Sequence, residues 1–402
     1  MSRRWATFTL IAGLVLAAGA VGFRMLGASA LVRYPTDVDK TLHYSGTYTS
    51  YFDEETSLPR EEPLVLPFAL DRHLDVVDHS FSTVVIAEEL RLHIGDDTLV
   101  QHNQYVMDRR SMELQGGADS WAFTPENVVD RSGSYRVQFP MGVEAGGDYR
   151  IWNNETERTT PLVEPTERHD HDAAGVEVVD FEGNLDHEVS AAYRDWLAAE
   201  GFPMEITPAQ LQAQLALEGI DVAAALADVS PLLTPDESAV VGEILTGSVP
   251  LVYSFGYHGQ VSLEAKTGTI MDVHVQHEGL AIRPDLSGVS TLQPLLDKYS
   301  SVPSVKALND GLVRAAARPA TLAADFEFTQ TPASSRDVGN DVKDQIRMMR
   351  VVNLWVPWSA GLIGVAAVVV SRRRRGGARD RTTTDIDLQP PPTPREPVRT
   401  GP

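Results

Sequence analysis

The chain has 402 residues and a formal net charge of −22 at neutral pH. That length gives room for two soluble domains, or for one large domain with anchoring segments. With no cysteine in it, disulfides, thiolate catalysis and thiolate metal sites are excluded, and so acidic a surface repels nucleic acid and anionic headgroups.

Arg3 and Arg4 precede residues 5–23, a run of 19 without a charge. This predicts a first transmembrane helix with residues 1–4 in the cytoplasm, where flanking arginines are retained. The rival reading is a cleaved signal peptide ending at Ala28-Ser29-Ala30. Against it, the apolar run is longer than the usual ~7–15 residues, and Arg24 intervenes.

Residues 34–334 read as an extracytoplasmic domain. Residues 41–52 alternate: Leu42, Tyr44, Tyr48 and Phe52 share one face with Gly46 and Ser50, and Thr47 and Thr49 take the other. A period of two predicts a half-buried strand. In residues 84–94, Leu90, Leu92 and Ile94 oppose Arg91 and His93, and the turn Gly95-Asp96-Asp97 predicts a hairpin with residues 98–107. Short strands are expected at 135–139, 149–152 and 176–181. Near Leu185 the period changes to that of a helix, with Val189, Tyr193, Trp196 and Leu197 on one face. Thr207-Pro208-Ala209-Gln210 and Thr234-Pro235-Asp236-Glu237 are capping boxes with proline at the first helical position. They predict a helical insert over 185–247. Strands are expected again at 250–257, 260–265 and 269–277, with a short extension at 280–284. Helices follow at 292–296 and 305–317, then a strand at 323–329.

Ser334 or Ser335 is the expected cap of a stalk helix over 335–350, running without a break into residues 351–371. These last 21 residues carry no charge and are stopped by Arg372-Arg373-Arg374-Arg375. This predicts a second transmembrane helix with its arginine end in the cytoplasm. The tail, 372–402, is basic and proline-rich, and is expected to be disordered and to hold anionic lipid. The fold expected is α+β: an antiparallel β-rich ectodomain with a helical insert, flanked by N- and C-terminal transmembrane helices. The localisation that follows is a two-pass plasma-membrane protein with both termini cytoplasmic.

No catalytic motif stands out, and no catalytic, cofactor-binding or metal-ligating residue is assigned. The expectation is a protein that is not an enzyme. His169 and His171 alternate with Asp170 and Asp172, but they precede Ala173-Ala174-Gly175 and read as a polar loop. His274 and His277 differ by an odd number, so a regular strand points them to opposite faces. The stretch Tyr105–Met112 has an echo in Ser262–Thr269: each is a strand running into a basic, hydroxyl-bearing turn.

Five stretches carry a resemblance: MDRRSMEL from Met107, YRVQFPMGVE from Tyr135, DYRIWNNETE from Asp148, GVEVVDFEG from Gly175 and LEAKTGTIMDV from Leu263. Together with the segment layout, they make the chain resemble the actinobacterial porin PorA-like family. The resemblance implies a cell-envelope protein, and its name implies a channel. A bilayer-embedded barrel needs an apolar outer band, whereas these strands alternate apolar with charged.

The leading expectation is therefore a non-enzymatic envelope protein whose ectodomain binds an apolar envelope component or scaffolds partners. The alternative is a porin-like channel. The candidate apolar ligand face is Leu42, Tyr44, Gly46, Tyr48, Phe52, Leu90, Leu92 and Ile94, with Gly46 leaving room between large groups. The competing expectation is that the insert and the helix at 305–317 cover these rows as ordinary core. The partners expected are membrane lipids and envelope proteins or lipids, and no nucleic acid.

Overall fold

A computed structural model describes residues 33–53, 58–144, 146–163, 169–171, 175–351 and 355–380. The chain forms two compact units, residues 33–346 and residues 1–32 with 347–402.

The larger unit is built on an antiparallel sheet of 14 strands. In chain order they are β1 (Asp39–Phe52), β2 (Pro59–His79), β3 (Thr83–Ile94), β4 (Asp97–Asp108), β5 (Leu114–Gln115), β6 (Trp121–Ala122), β7 (Arg150–Asn153), β8 (Arg158–Val163), β9 (His169–Asp170), β10 (Glu177–Glu188), β11 (Glu205–Ile206), β12 (Val249–Glu264), β13 (Ile270–Pro284) and β14 (Thr321–Gln330). Their spatial order is β5-β4-β3-β2-β1-β14-β13-β12-β10-β8-β7, so β1 and β14 meet in the middle of the sheet. Alternation sets the curvature to be filled: Thr41, His43, Ser45 and Thr47 are exposed, while Leu42 and Tyr44 are buried.

The sheet curls until its two ends meet. Arg131, fully buried, donates to the Gln104 carbonyl of β4 at 2.8 Å, to the Trp121 carbonyl of β6 at 2.9 Å and to Asn154 Oδ1, just past β7, at 3.0 Å. Asn154 in turn donates to the Tyr105 hydroxyl of β4 at 2.8 Å. The stretch 109–149 packs into this closed end with Met112, Leu114, Phe123, Val129 and Val137 against Val84, Ile86 and Tyr105.

Four strand expectations change. β2, 21 residues long, had no counterpart in the sequence reading. Residues 135–139 form no strand; Tyr135 makes a single bridge to Ile151. The pairs 250–257 with 260–265, and 269–277 with 280–284, are one strand each, β12 and β13. Their register shifts at His258/Gly259 and Val275/Glu278 broke the period-two signal. A bulge inserts a residue and rotates the alternation.

Between β10 and β12 lie α1 (Ala191–Ala199), α2 (Pro208–Leu217), α3 (Val222–Val229) and α4 (Pro235–Thr246). β10 runs on to Glu188, so helix begins only at Ala191 and not at Leu185. Both capping boxes form: Thr207 with Gln210, and Thr234 with Glu237. After β13 come α5 (Gln293–Lys298) and α6 (Pro303–Ala316). α6 packs on the insert, where Val305 joins Val229 and Leu296, and a Cβ at Gly311 would press on Ile220. It therefore does not cover the concave face as expected. α7 (Pro332–Arg350) is capped by Thr331, whose hydroxyl accepts from Ser334 N at 3.3 Å; Ser334 and Ser335 are buried instead.

The echo between Tyr105–Met112 and Ser262–Thr269 is structural once shifted by one residue, so that Asp108 and not Met107 matches Glu264. Asp108 N donates to Glu113 O, and Met112 N to Asp108 O, both at 2.9 Å; Glu264 N donates to Thr269 O, and Gly268 N to Glu264 O, also at 2.9 Å. In each turn the acidic side chain ending the strand accepts from two following backbone N–H groups. In each, the fifth residue has a left-handed backbone, φ 63° at Met112 and 70° at Gly268. Two hairpins, β4–β5 and β12–β13, share one construction.

In the smaller unit, α8 spans Val356–Asp380 and includes Arg372–Arg375. A single continuous helix was expected here; α7 runs to Arg350, Val351 and Trp355 are π-helical on either side of residues 352–354, which lie outside the described ones, and α8 follows from Val356. No described helix is long and apolar enough to cross a membrane. The expected first transmembrane helix, residues 5–23, and the tail beyond Asp380 lie outside the described residues.

Candidate functional site

The concave face changes polarity along the strands. Register places Phe68 of β2 opposite Ile94 of β3. The next inward row is Leu70, Leu92 and Leu99 across β2, β3 and β4. The row after that is Arg72, Leu90 and Gln101, and the following one is Leu74, Glu88 and Asn103. Apolar rows thus abut a row of charge and amide within one pleat period of ~7 Å.

A cavity of ≈ 160 Å³ lies over these rows. Beyond β1 in the same sheet, β14 contributes Ala324, Phe326 and Phe328, and α1 contributes Tyr193, Trp196 and Leu197. Trp196 is held there by an Nε1–H donated to the Val100 carbonyl at 3.3 Å, and stacks on Tyr193 with centroids 5.3 Å apart. Of the helical face read from Val189, Tyr193, Trp196 and Leu197, the last three line the cavity, while Val189 precedes the helix.

At the polar end, Arg72 Nε donates to Glu88 Oε1 at 2.7 Å, and Asn103 donates to Oε2 at 3.0 Å. The Tyr105 hydroxyl also donates to Oε2. Burial opposes ionisation of Glu88, but Arg72, Arg136 and these hydrogen bonds outweigh it and hold its pKa at about 2. Glu278 of β13 goes the other way. Burial, then the neighbouring Glu155 and Asp325, outweigh Arg136 and push it up to about 8. The Arg136 guanidinium stays charged: burial would lower its pKa, yet Tyr105, Glu88, Glu155 and Glu278 raise it above the ordinary value.

Three donors here have no partner among the described residues: Gln101 Nε2, Arg136 Nε and Trp152 Nε1. Their residues all line the cavity.

Of the face expected from sequence, Tyr44, Tyr48, Leu90, Leu92 and Ile94 line this cavity. Three residues do not. Leu42 is packed in core with Val338 and Val342 of α7. Phe52 lies by a separate hollow lined by Leu211, Leu251 and Ile282. Gly46 makes no room for a ligand: a Cβ there would stand 1.9 Å from the Glu327 carbonyl, so glycine is required for the approach of β1 to β14. Arg72, Glu88, Gln101, Arg136, Trp152 and Glu278 were missed. Glu88 was detectable, because it falls in phase with Ile86 and Leu90 on the inward face, where a charge needs a partner.

His169 forms β9 beside β10, with Nε2 2.8 Å from Asp180, and His171 Nε2 is 3.8 Å from Asp272. The bulge in β13 leaves His274 exposed and brings His277 Nδ1 to 2.7 Å from Asp325. Among the described residues no three His, Asp or Glu are grouped to hold a metal ion.

A family model described as Porin PorA matches residues 5–372. The chain belongs to the Porin PorA family. No protein of the curated set matches it. Membership in the Porin PorA family points to a membrane or envelope location. The family name supplies no residue-level role for the cavity.

Proposed function

We propose that this is a non-enzymatic envelope protein, anchored by its terminal segments, whose curled sheet holds an apolar envelope molecule. The observation that carries the reading is the cavity walled by Tyr48, Phe68, Leu92, Ile94 and Phe326 and closed by α1. Apolar cavities with a few convergent polar groups are the usual form of a small-molecule site. A catalytic reading lacks a nucleophile and base in reach of one another there. The anchor is supported by α8, whose Trp358, Leu362, Ile363 and Val365 are exposed ahead of the arginine block.

The porin-like alternative has one observation against it in the form of a bilayer-embedded barrel. The convex face of β1–β4 is polar, with His43 2.6 Å from Asp71, His93 3.5 Å from Asp71 and Arg91 2.5 Å from Glu89. Such barrels are apolar outside and polar within, and this polarity is reversed.

The test is to produce residues 33–346 in the native host, extract them without detergent and analyse them by native mass spectrometry. Co-purified lipid is expected. Ala324→Trp, which projects bulk into the cavity from β14, is expected to lose it while keeping its melting transition. A lipid-free wild-type protein that binds no apolar dye would overturn the reading, and bilayer conductance by the full chain would favour the channel.

A further inference from the structure

Unpaired polar groups sealed inside a protein cost about 1–3 kcal/mol each, and native structures keep few of them without a reason. Here three donors without an acceptor belong to residues lining one cavity, Gln101 at 4 % exposure, Trp152 at 6 % and Arg136. They are linked through one chain of contacts. Arg72, in the same row as Gln101, donates Nη2 to the Arg136 carbonyl at 3.4 Å, and Arg136 Nη1 donates to the Trp152 carbonyl at 3.4 Å.

The charges at this end are unequally matched. Arg72 is taken up by Glu88 at 2.7 Å. Arg136 has no carboxylate within ion-pair distance among the described residues, and Glu278, raised to about 8, is mostly protonated at neutral pH. Glu155 also lines this end and acts on Arg136, so the end is marked by unpartnered donors around a charged guanidinium rather than by net charge, and it is continuous with the aromatic and aliphatic rows of Phe68, Leu92 and Ile94.

We propose that the Arg136 end is a head-group site, and that the occupant is a single-chain amphiphile with an anionic oxygen head, a carboxylate or a phosphate monoester. Its tail lies along Phe68, Leu92 and Ile94. This rests on the reading that the cup holds an apolar envelope molecule, and it specifies that molecule's chemistry. Size argues for one slender chain: the cavity of ≈ 160 Å³ is close to the ~150 Å³ of an engineered cavity that takes one benzene ring. An oxyanion accepts several hydrogen bonds at once and makes the stronger, charge-assisted kind. It satisfies guanidinium, amide and indole donors together.

The experiment uses the full chain in amphipol and three probes with the same six-carbon tail, matched to a cavity of this size: hexanoate, hexyl phosphate and hexanol. Titration calorimetry is expected to show one or both anions binding roughly tenfold tighter than the alcohol, and the tighter of the two identifies the head group. R136Q is expected to lower the anions to the level of hexanol, and R136K to restore part of the difference. If R136Q does not fold, Q101L decides: a reduced preference for the anion supports the site, and an unchanged one overturns it. Equal binding of all three probes to the wild type would overturn the head-group site and leave the apolar cup standing. Binding of none would overturn the cup and the head-group site with it.

Discussion

Glu278 lines the cavity and Glu88 lies behind Arg72, and the two respond to burial in opposite ways. Glu88 has a guanidinium at 2.7 Å and two further donors, so its charge is stabilised. Glu278 has no side-chain hydrogen bond among the described residues, and Glu155 and Asp325 add like charge. The signs follow from linkage. Glu88 is lowered from its ordinary 4.5 to about 2, so its contribution is present above 4.5 and is lost as pH falls toward 2. Glu278 is raised from 4.5 to about 8, so the folded state keeps a proton that the unfolded state releases. Its contribution is present below 4.5 and is lost as pH rises through about 8. The urea midpoint is therefore expected to fall from about pH 5 to about pH 8, and Glu278→Gln should flatten that slope. A wild-type midpoint without the fall would mean that Glu278 is ionised in the cup. Arg72→Met strands the Glu88 charge and should cost about 3–5 kcal/mol. Adding Glu88→Leu should recover much of that loss in the same denaturation series.

The twin turns after β4 and β12 show how much local chemistry decides at the level of elements. Each ends on an acidic side chain that satisfies the backbone of the turn, and each needs a left-handed fifth residue. Gly268→Ala combines that backbone strain with a Cβ 2.2 Å from the Phe139 carbonyl. A loss of at least about 1 kcal/mol is expected in thermal unfolding. Thr234→Ala removes one cap and should cost about 1 kcal/mol. Features of this local kind were legible in the sequence: the echo of the turns, both capping boxes, the alternation in β1, β3 and β4, and the apolar stripe of α1. β2 was not, because its first half, Pro-Arg-Glu-Glu-Pro-Leu-Val-Leu-Pro, has charges and prolines in place of alternation. It pairs along nearly its whole length with β1 and β3, and partner strands, not propensity, hold it extended. The polar end of the cavity was hidden for a related reason. Arg72, Gln101 and Arg136 acquire meaning only once register and curling bring three distant segments together, and no spacing in the sequence encodes that.

For the whole molecule, charge and anchoring act together. A domain with most of a −22 chain's acids is repelled by anionic headgroups, so surface adsorption is disfavoured and the proposed anchoring rests on apolar segments. Two such segments bracket the domain in sequence, residues 5–23 after Arg3-Arg4 and residues 351–371 before Arg372–Arg375. Flanking arginines are retained on the cytoplasmic side, and the topology we propose on that ground is two-pass, with residues 33–346 outside. The chain has no cysteine, so single introduced thiols report on location without background. In intact cells, Ser132→Cys and Ser300→Cys, both exposed, should react with a membrane-impermeant maleimide. Ser2→Cys and Thr400→Cys should react only after permeabilisation. A mature chain from which position 2 is missing would identify residues 5–23 as a cleaved leader and leave a single anchor. Labelling of Thr400→Cys from outside would overturn the orientation at the arginine block.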